Sequence, residues 1–276
     1  MSKIITDDHQ IVKPFLRWAG GKNWLVKHFR EFNINYSNYH EAFLGGGAIF
    51  FSLNPTKKVF LSDLNSDLIN TYQRVKEDVN GIIEVLKAFE NSEDDYYRVR
   101  SATFDSASGR AAQFIYLNQT SFNGIYRVNL KGKYNVPYGY RKKDFVDEIG
   151  LQKCHQALKR ARIFDGDFEE ILGNVKRNDL VFLDPPYTVS HNLNGFIKYN
   201  EHLFSLDDQI RLSKLIDAIK QKDAFYILTN AAHHKVQEIF DKGDRQLELS
   251  RASLIGGFNA KRGDTSEYIF TNIDVK

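Results

Sequence analysis

Five short apolar runs, each closing on polar side chains, constrain this chain more than any other feature: VFLSDLN (Val59–Asn65), ARIFDGDF (Ala161–Phe168), DLVFLDPPY (Asp179–Tyr187), AFYILTN (Ala224–Asn230) and EYIFTN (Glu267–Asn272). Such runs read as buried strands whose carboxyl ends carry the polar chemistry. Helical patterns lie between them. In SLDDQIRLSKLIDAIKQK, Ser205 stands as N-cap with Asp208 three residues on, and Ile210, Leu212, Leu215, Ile216 and Ile219 are expected along one face. Strands alternating with helices predict an α/β fold built on a parallel sheet, with ligands beyond the carboxyl ends of its strands.

The alternation breaks between about Asp67 and Lys159, where VNGIIEVLKAFEN, GRAAQFIYLNQ and LQKCHQALKRAR read as helices around a loop-like centre. The expected organisation is therefore one domain from residues 1–66 and 158–276, interrupted by an inserted, mainly helical lobe at 67–157. No apolar run approaches the ~18 residues of a membrane span, and MSKIITDDHQ lacks a signal peptide's hydrophobic segment. The single cysteine, Cys154, leaves no internal disulfide and no Cys-x-x-Cys zinc pattern, and it follows a helical pattern as a buried residue would. A cytoplasmic location without membrane association is the expectation. The net charge of +3 is too small to argue nucleic-acid binding, so local patterning must carry that case.

EAFLGGGAIFFSL places three glycines before an apolar helix start, where the backbone can turn tightly and approach a ligand. A dinucleotide fingerprint would need a third spaced glycine where Phe50 stands, and a phosphate loop in FLRWAGGKNWL fails at Leu16 and Asn23. Asp63 closes the next strand, 16 residues beyond Gly47. A carboxylate there can accept both hydroxyls of a ribose; capping a helix that starts near Asn65 is the alternative. Together with the glycine turn it points to an adenosine-containing ligand that is not a dinucleotide.

Two of the chain's five prolines stand together in Asp184-Pro185-Pro186-Tyr187 and stop the strand abruptly. An exocyclic amino nitrogen is a poor nucleophile because its lone pair is conjugated into the base. A carboxylate on its N–H, with a backbone carbonyl held by prolines, favours a more nucleophilic tetrahedral nitrogen, which is stabilisation aimed at developing charge. A stacked ring, Tyr187, would hold that nitrogen in line with a methyl donor. Neither a metal nor a covalent intermediate is required, and the adjacent His233 and His234 are poorly spaced to share one metal.

With these segments in order, the chain resembles the Dam-type (D12 class, alpha group) DNA adenine-N6 methyltransferases, which use S-adenosylmethionine and release S-adenosylhomocysteine. FLRWAGGK, FLGGGAIFF, LSDLNSDLI, DGDFEE and DPPY are similar to its cofactor and catalytic motifs, and LNQTSFNGIYRVN with KYNVPYG to its target-recognition lobe. The resemblance implies a Rossmann-like methyltransferase sheet and a flipped adenine in duplex DNA, in GATC or a related short site; transfer to another exocyclic amino group, cytosine N4 or that of an RNA base, and a DNA-binding module with a degenerate cofactor pocket are the alternatives. It also implies that Trp18, Lys22, Asp63 and Asp184 contact the cofactor, that Phe43, Gly45 and Gly47 shape its loop, and that Asp167 and Phe168 flank its adenine. A monomer, paired genetically with a restriction endonuclease, completes the expectation.

From Arg127 to Lys143 the chain carries six basic residues and no carboxylate, interleaved with tyrosines and asparagines. Cations suit phosphates, and Asn or Arg can read base edges; a solvated basic loop is the alternative. Phe122, beside the Asn-Gly turn of SFNGIYR, could wedge into the space a flipped base leaves, or pack in the core. The family pattern implies that Phe122 intercalates, that Asn123, Ile125, Arg127 and Asn135 touch bases or backbone, and that Arg17 stands where relatives carry a base-contacting lysine. Where GATC-specific members place a guanine-reading arginine after NVPYG, this chain has Tyr140 and then Arg141, so that either Arg141 substitutes with a shifted loop or the target differs from GATC. RASLIGGFNAKRGDTSEY is expected to be a basic loop that closes over DNA.

Overall fold

The computed structural model describes residues 2–3, 12–32, 34–129, 131–187, 204–252 and 264–274. The strands are β1 (Ser2–Lys3), β2 (Asn35–Tyr36), β3 (Tyr39–Glu41), β4 (Val59–Asp63), β5 (Ala161–Asp165), β6 (Leu180–Leu183), β7 (Phe225–Ala231), β8 (Arg245–Ala252) and β9 (Asp264–Thr271). The helices are α1 (Ala48–Leu53), α2 (Ser66–Glu77), α3 (Val79–Lys87), α4 (Glu93–Ser101), α5 (Ala107–Thr120), α6 (Glu148–Leu158), α7 (Leu206–Gln221) and α8 (His234–Phe240). A seven-stranded sheet has the order β5-β4-β3-β6-β7-β9-β8. β4–β5, β3–β6 and β6–β7 pair in parallel, while β9 runs antiparallel to both β7 and β8. This is a Rossmann-like arrangement, parallel as expected except at β9, which runs against both its neighbours and leaves β8 parallel to β7. The strand order reverses at β3/β6, the kind of switch point where ligands bind in open α/β sheets.

Contacts divide the chain into two compact units, one of Met1–Lys3, Glu31–Phe43 and Asp167–Lys276, the other of Ile4–Arg30 and Leu44–Gly166. In the first unit, α7 begins at a capping box in which Ser205 and Asp208 satisfy each other's backbone N–H groups. Leu212, Leu215, Ile216 and Ile219 are buried against Val181, Leu183 and Leu228 in one hydrophobic core. Ile210, expected on that face, is instead 41% exposed. It lies two residues before Leu212, about 200° round the helix, so the apolar stripe excludes it. The segment from 251 on, expected as a loop, is strand at Arg251–Ala252 and again from Asp264; the rest of that basic stretch lies outside the described residues.

A polar knot forms where β3 and β6 begin. Asp179, fully buried, accepts from the Asn38 backbone (3.0 Å) and side chain (2.8 Å), from the Lys176 backbone (2.9 Å), and lies 2.8 Å from His40 Nε2. Burial pushes the Asp179 carboxyl up, but His40, Lys176 and Asn38 together outweigh it and hold the group below its ordinary value. A carboxyl depressed in the folded state stabilises fully above its unfolded value of about 3.9 and loses that contribution as pH falls through its folded value. Asp179→Asn should therefore cost about 1–3 kcal/mol at neutral pH. Thermal melts of the two proteins should converge as pH drops below about 4; a gap that stays constant with pH would contradict this account.

In the second unit, α2 and α5 pack together, α2 burying Leu68, Tyr72 and Val75 and α5 burying Ala111, Ala112 and Ile115. Five helices begin at side-chain caps, Asn65, Asp78, Ser92, Ser106 and Asp147, each accepting a backbone N–H one turn ahead. Cys154 is buried in α6 as expected, and burial, with Asp147 nearby, pushes its thiol up to about 12. That is far from a nucleophile's range. Among the described residues, no helix is long and apolar enough to cross a membrane.

Candidate active site and DNA interface

The glycine turn owes its shape to Asp63 and Trp18. Gly45 N donates to Asp63 Oδ2 (2.9 Å), and Asn65 N donates to the other carboxylate oxygen (3.0 Å). Asp63 does not cap α2; Asn65 does, accepting from Asp67 and Leu68. Gly45 and Gly47 adopt φ of 47° and 65°, and a Cβ at Gly45 would lie 2.8 Å from the Trp18 indole. Gly45 is thus required for close packing on Trp18, and Gly47, whose Cβ would lie 2.9 Å from the Tyr72 hydroxyl, for packing on Tyr72, besides the left-handed backbone of both. Burial pushes the Asp63 carboxyl up, and the backbone donors from Gly45, Asn65 and Leu64 counter this only in part.

Trp18 is half-buried and stacks on Tyr126, with ring centroids 5.7 Å apart and planes 18° apart. Lys22 is 3% exposed, and its Nζ donates to Gly20 O (2.8 Å). Trp18, Lys22, Gly45, Gly47 and Asp63 all belong to the same unit.

The other unit holds Phe43, Asp167, Phe168, Asp184 and Tyr187. Phe43 stacks on Phe168 at 5.4 Å and 26°. Asp167 caps the 3-10 turn Phe168–Gly173 in a capping box with Glu170. Arg211, which the sequence reading did not single out, lies 4.8 Å over the Phe168 ring and donates to Glu169 (2.7 Å), Asp167 (2.7 Å) and Asp208 (3.0 Å). Those carboxylates, Glu169 and Asp167 foremost, raise its pKa further. No local signal marks Arg211; only the tertiary fold brings α7 over the DGDFEE turn.

Asp184 follows β6 directly and is half-buried, Pro185 is buried and Pro186 exposed. The Thr229 hydroxyl donates to Asp184 Oδ1 (2.7 Å), and the Tyr187 hydroxyl to Glu267 Oε2 (2.7 Å). Burial, then Asp184 and Glu267, push the Tyr187 phenol far above its ordinary value, so it is a neutral donor. Thr229 and Glu267 were also missed, although both stand at the polar ends of runs recognised as strands.

On the segment expected to meet DNA, bridges Ser121–Tyr138 and Val128–Tyr134 bring SFNGIYR beside NVPYG. Phe122 is 54% exposed, which removes the core-packing alternative. Asn123 and Gly124 follow it at φ of 55° and 63°. Arg127 Nε donates to Asn135 Oδ1 (2.8 Å), so these two expected base contacts meet each other. Tyr140 is exposed at φ 51° with its hydroxyl on Glu93 (2.7 Å), and Ile125 is exposed beside the Asn-Gly turn. The Arg17 backbone is clasped by the Asn118 amide (2.8 and 2.7 Å), and its guanidinium lies beside Gly124. Burial, then the neighbouring Arg141, lower the Arg17 pKa. Away from these sites, His233 caps α8 by accepting from Lys235 N (3.2 Å). Among the described residues, no group of three or more His, Cys, Asp or Glu could hold a metal ion.

A Rossmann-like sheet with a glycine turn, a strand-end carboxylate and an Asp-Pro-Pro-Tyr turn defines a methyltransferase, and the chain belongs to the D12 class of N6 adenine-specific DNA methyltransferases, whose family model matches residues 18–253. It is 35% identical over 274 residues to the Type II methyltransferase M1.LlaDCHI of Lactococcus lactis subsp. cremoris, across 95% of each chain. It is 38% identical to the Type II methyltransferase M.MjaIII of Methanocaldococcus jannaschii, across 80% of this chain and 84% of that one. With the DNA adenine methylase of Haemophilus influenzae it shares 32% identity, across 83% of each. The protein is thus an enzyme of DNA adenine methylation.

Proposed function

We propose that this enzyme transfers a methyl group from S-adenosylmethionine to N6 of an adenine flipped out of duplex DNA, within GATC or a related short site. The observation that carries the reading is Asp184, held by Thr229 at the carboxyl end of β6 in the Asp-Pro-Pro-Tyr turn, one strand from Phe43 at the end of β3. S-adenosylmethionine supplies an electrophilic methyl and leaves as S-adenosylhomocysteine. The residues fit it by chemistry: a partly desolvated carboxylate at Asp63 suits ribose hydroxyls, and the Phe43–Phe168 pair beside Asp167 suits a purine with an amino group. Trp18, Gly45 and Gly47 shape the loop, and Lys22 answers a carboxylate.

In the reaction, Asp184 accepts from the target amino group while the carbonyl of the proline turn takes a second contact, drawing the nitrogen toward tetrahedral geometry. Tyr187 stacks on the extruded base. Residues 1–66 and 158–276 serve as the catalytic domain and 67–157 as the target-recognition insert. Arg17, Asn123, Ile125, Arg127, Asn135, Tyr140 and Arg141 meet the DNA. Arg141, beside Arg17, reads guanine in place of the arginine that Tyr140 displaces. The enzyme works as a monomer in the cytoplasm, visiting each strand in turn, and the Type II names of two relatives favour a partner endonuclease.

Methylation of a long random-sequence duplex by the purified protein, read by single-molecule sequencing, tests all of this. Modified adenines in a short fixed context are expected; bound cofactor without any modified base would refute the reading. Phe122→Ala should slow turnover by about 1–3 kcal/mol through lost stacking. Its melting temperature should not change, because the ring is exposed; a normal rate would exclude the wedge.

A further inference from the structure

Beneath the Asp-Pro-Pro-Tyr turn, the sheet delivers two polar side chains that the reaction as described does not use. β6 pairs with β7 through Leu183↔Leu228, which carries Thr229 alongside Asp184, and the Thr229 hydroxyl donates to Asp184 Oδ1 at 2.7 Å. β7 pairs with β9 through Thr229↔Ile269 and Ala231↔Glu267. Directly paired residues share a face and so do residues two apart, so Thr229 and Glu267 are diagonal neighbours on one side of the sheet. Glu267 is 1% exposed and accepts the Tyr187 hydroxyl at 2.7 Å; Thr229 is fully buried. Burying a carboxylate opposes folding unless it is hydrogen-bonded. A purely structural position on β9 would be filled better by an apolar side chain of similar volume. What an apolar residue cannot do is hold a phenol by its oxygen.

Taking the proposed roles of Asp184 and Tyr187 as given, we infer that Thr229 and Glu267 are positioning residues for methyl transfer. Thr229 occupies Oδ1 and so sets which way the carboxylate faces the target amine. Glu267 anchors the Tyr187 hydroxyl and so sets the plane on which the base stacks. Neither touches the reacting atoms. The orientation of both groups that do is decided by β7 and β9, two antiparallel-paired strands beyond the motif itself.

The test is single-turnover transfer from radiolabelled S-adenosylmethionine to unmethylated phage-length duplex DNA, with cofactor affinity by calorimetry and thermal melts in parallel. Thr229→Val should lower the transfer rate by about 10- to 100-fold, the scale of loss for slight misorientation, without weakening cofactor binding. Thr229→Ser, which keeps the hydroxyl, should restore it. Glu267→Leu should likewise reduce the rate, and Glu267→Gln, still an acceptor for the phenol, should recover most of it. Tyr187→Phe should reduce the rate, and in that background Glu267→Leu should add no further loss, because both act through one contact.

Wild-type rates in Thr229→Val or Glu267→Leu, or losses that multiply in the double variant, would overturn the inference. If Glu267→Leu does not fold, Tyr187→Phe decides for Glu267: a wild-type rate there overturns that half. Asp184→Ala run alongside separates the two levels. Transfer surviving that change removes the functional reading itself, whereas its loss beside a wild-type rate in Thr229→Val removes only the inference.

Discussion

Asp184→Ala is expected to reduce methyl transfer by about 10³-fold or more while leaving the fold intact. The magnitude is that of deleting a preorganised group aimed at developing charge. The expectation that the fold survives rests on the position of the side chain. Asp184 lies beyond the last residue of β6, is half-buried, and has the Thr229 hydroxyl as partner, which can still donate at 3.5 Å to the Leu183 carbonyl. Its removal strips an acceptor and little core volume. Transfer assays beside thermal melts and cofactor calorimetry check this. Unchanged turnover would end the catalytic assignment; a collapsed melt would show Asp184 to be structural.

Asp63→Ala should be nearly as damaging, but at the binding step. One carboxylate oxygen holds Gly45 N and the other holds Asn65 N, so the substitution frees the glycine turn and the start of α2 together. Losing a charge-assisted contact to the ligand and the loop's anchor at once should weaken cofactor affinity by roughly 2–4 kcal/mol, about 30- to 800-fold. Calorimetric titration with S-adenosylmethionine reads this directly. Asp63→Asn should fall between, since its one carbonyl oxygen can serve only one of the two backbone donors well. An unaltered dissociation constant in Asp63→Ala would assign the residue to loop architecture alone.

The legible part of this molecule was the part written in short-range pattern. Buried strands, the Ser205–Asp208 capping box and the glycine turn each leave a local trace, because each follows from periodicity or from one residue's backbone preference. β9 was recognised as a strand while its direction was not, since an apolar run has the same composition either way. Ile210 lies off the buried face although it is apolar, because composition alone does not separate it from the stripe that its offset from Leu212 excludes it from. Arg211, Thr229 and Glu267 are hidden for another reason: each matters through a partner 44 to 80 residues away, Asp167 for Arg211, Asp184 for Thr229 and Tyr187 for Glu267. Tyr140 could be flagged as a departure from a pattern, but its left-handed backbone and its bond to Glu93 could not be foreseen.

The side chains proposed to read DNA do not wait with empty hands. Arg127 already grips Asn135, and Tyr140 already grips Glu93. A base edge that engages them must therefore replace a bond the free protein already has, so a wrong sequence offers nothing to compensate the exchange and the latches close again. Such a reader has a threshold built into its resting state. If these residues read the target as proposed, non-target DNA held on phosphate contacts alone would leave the latches shut, and they would open only where the sequence gives back what opening them costs.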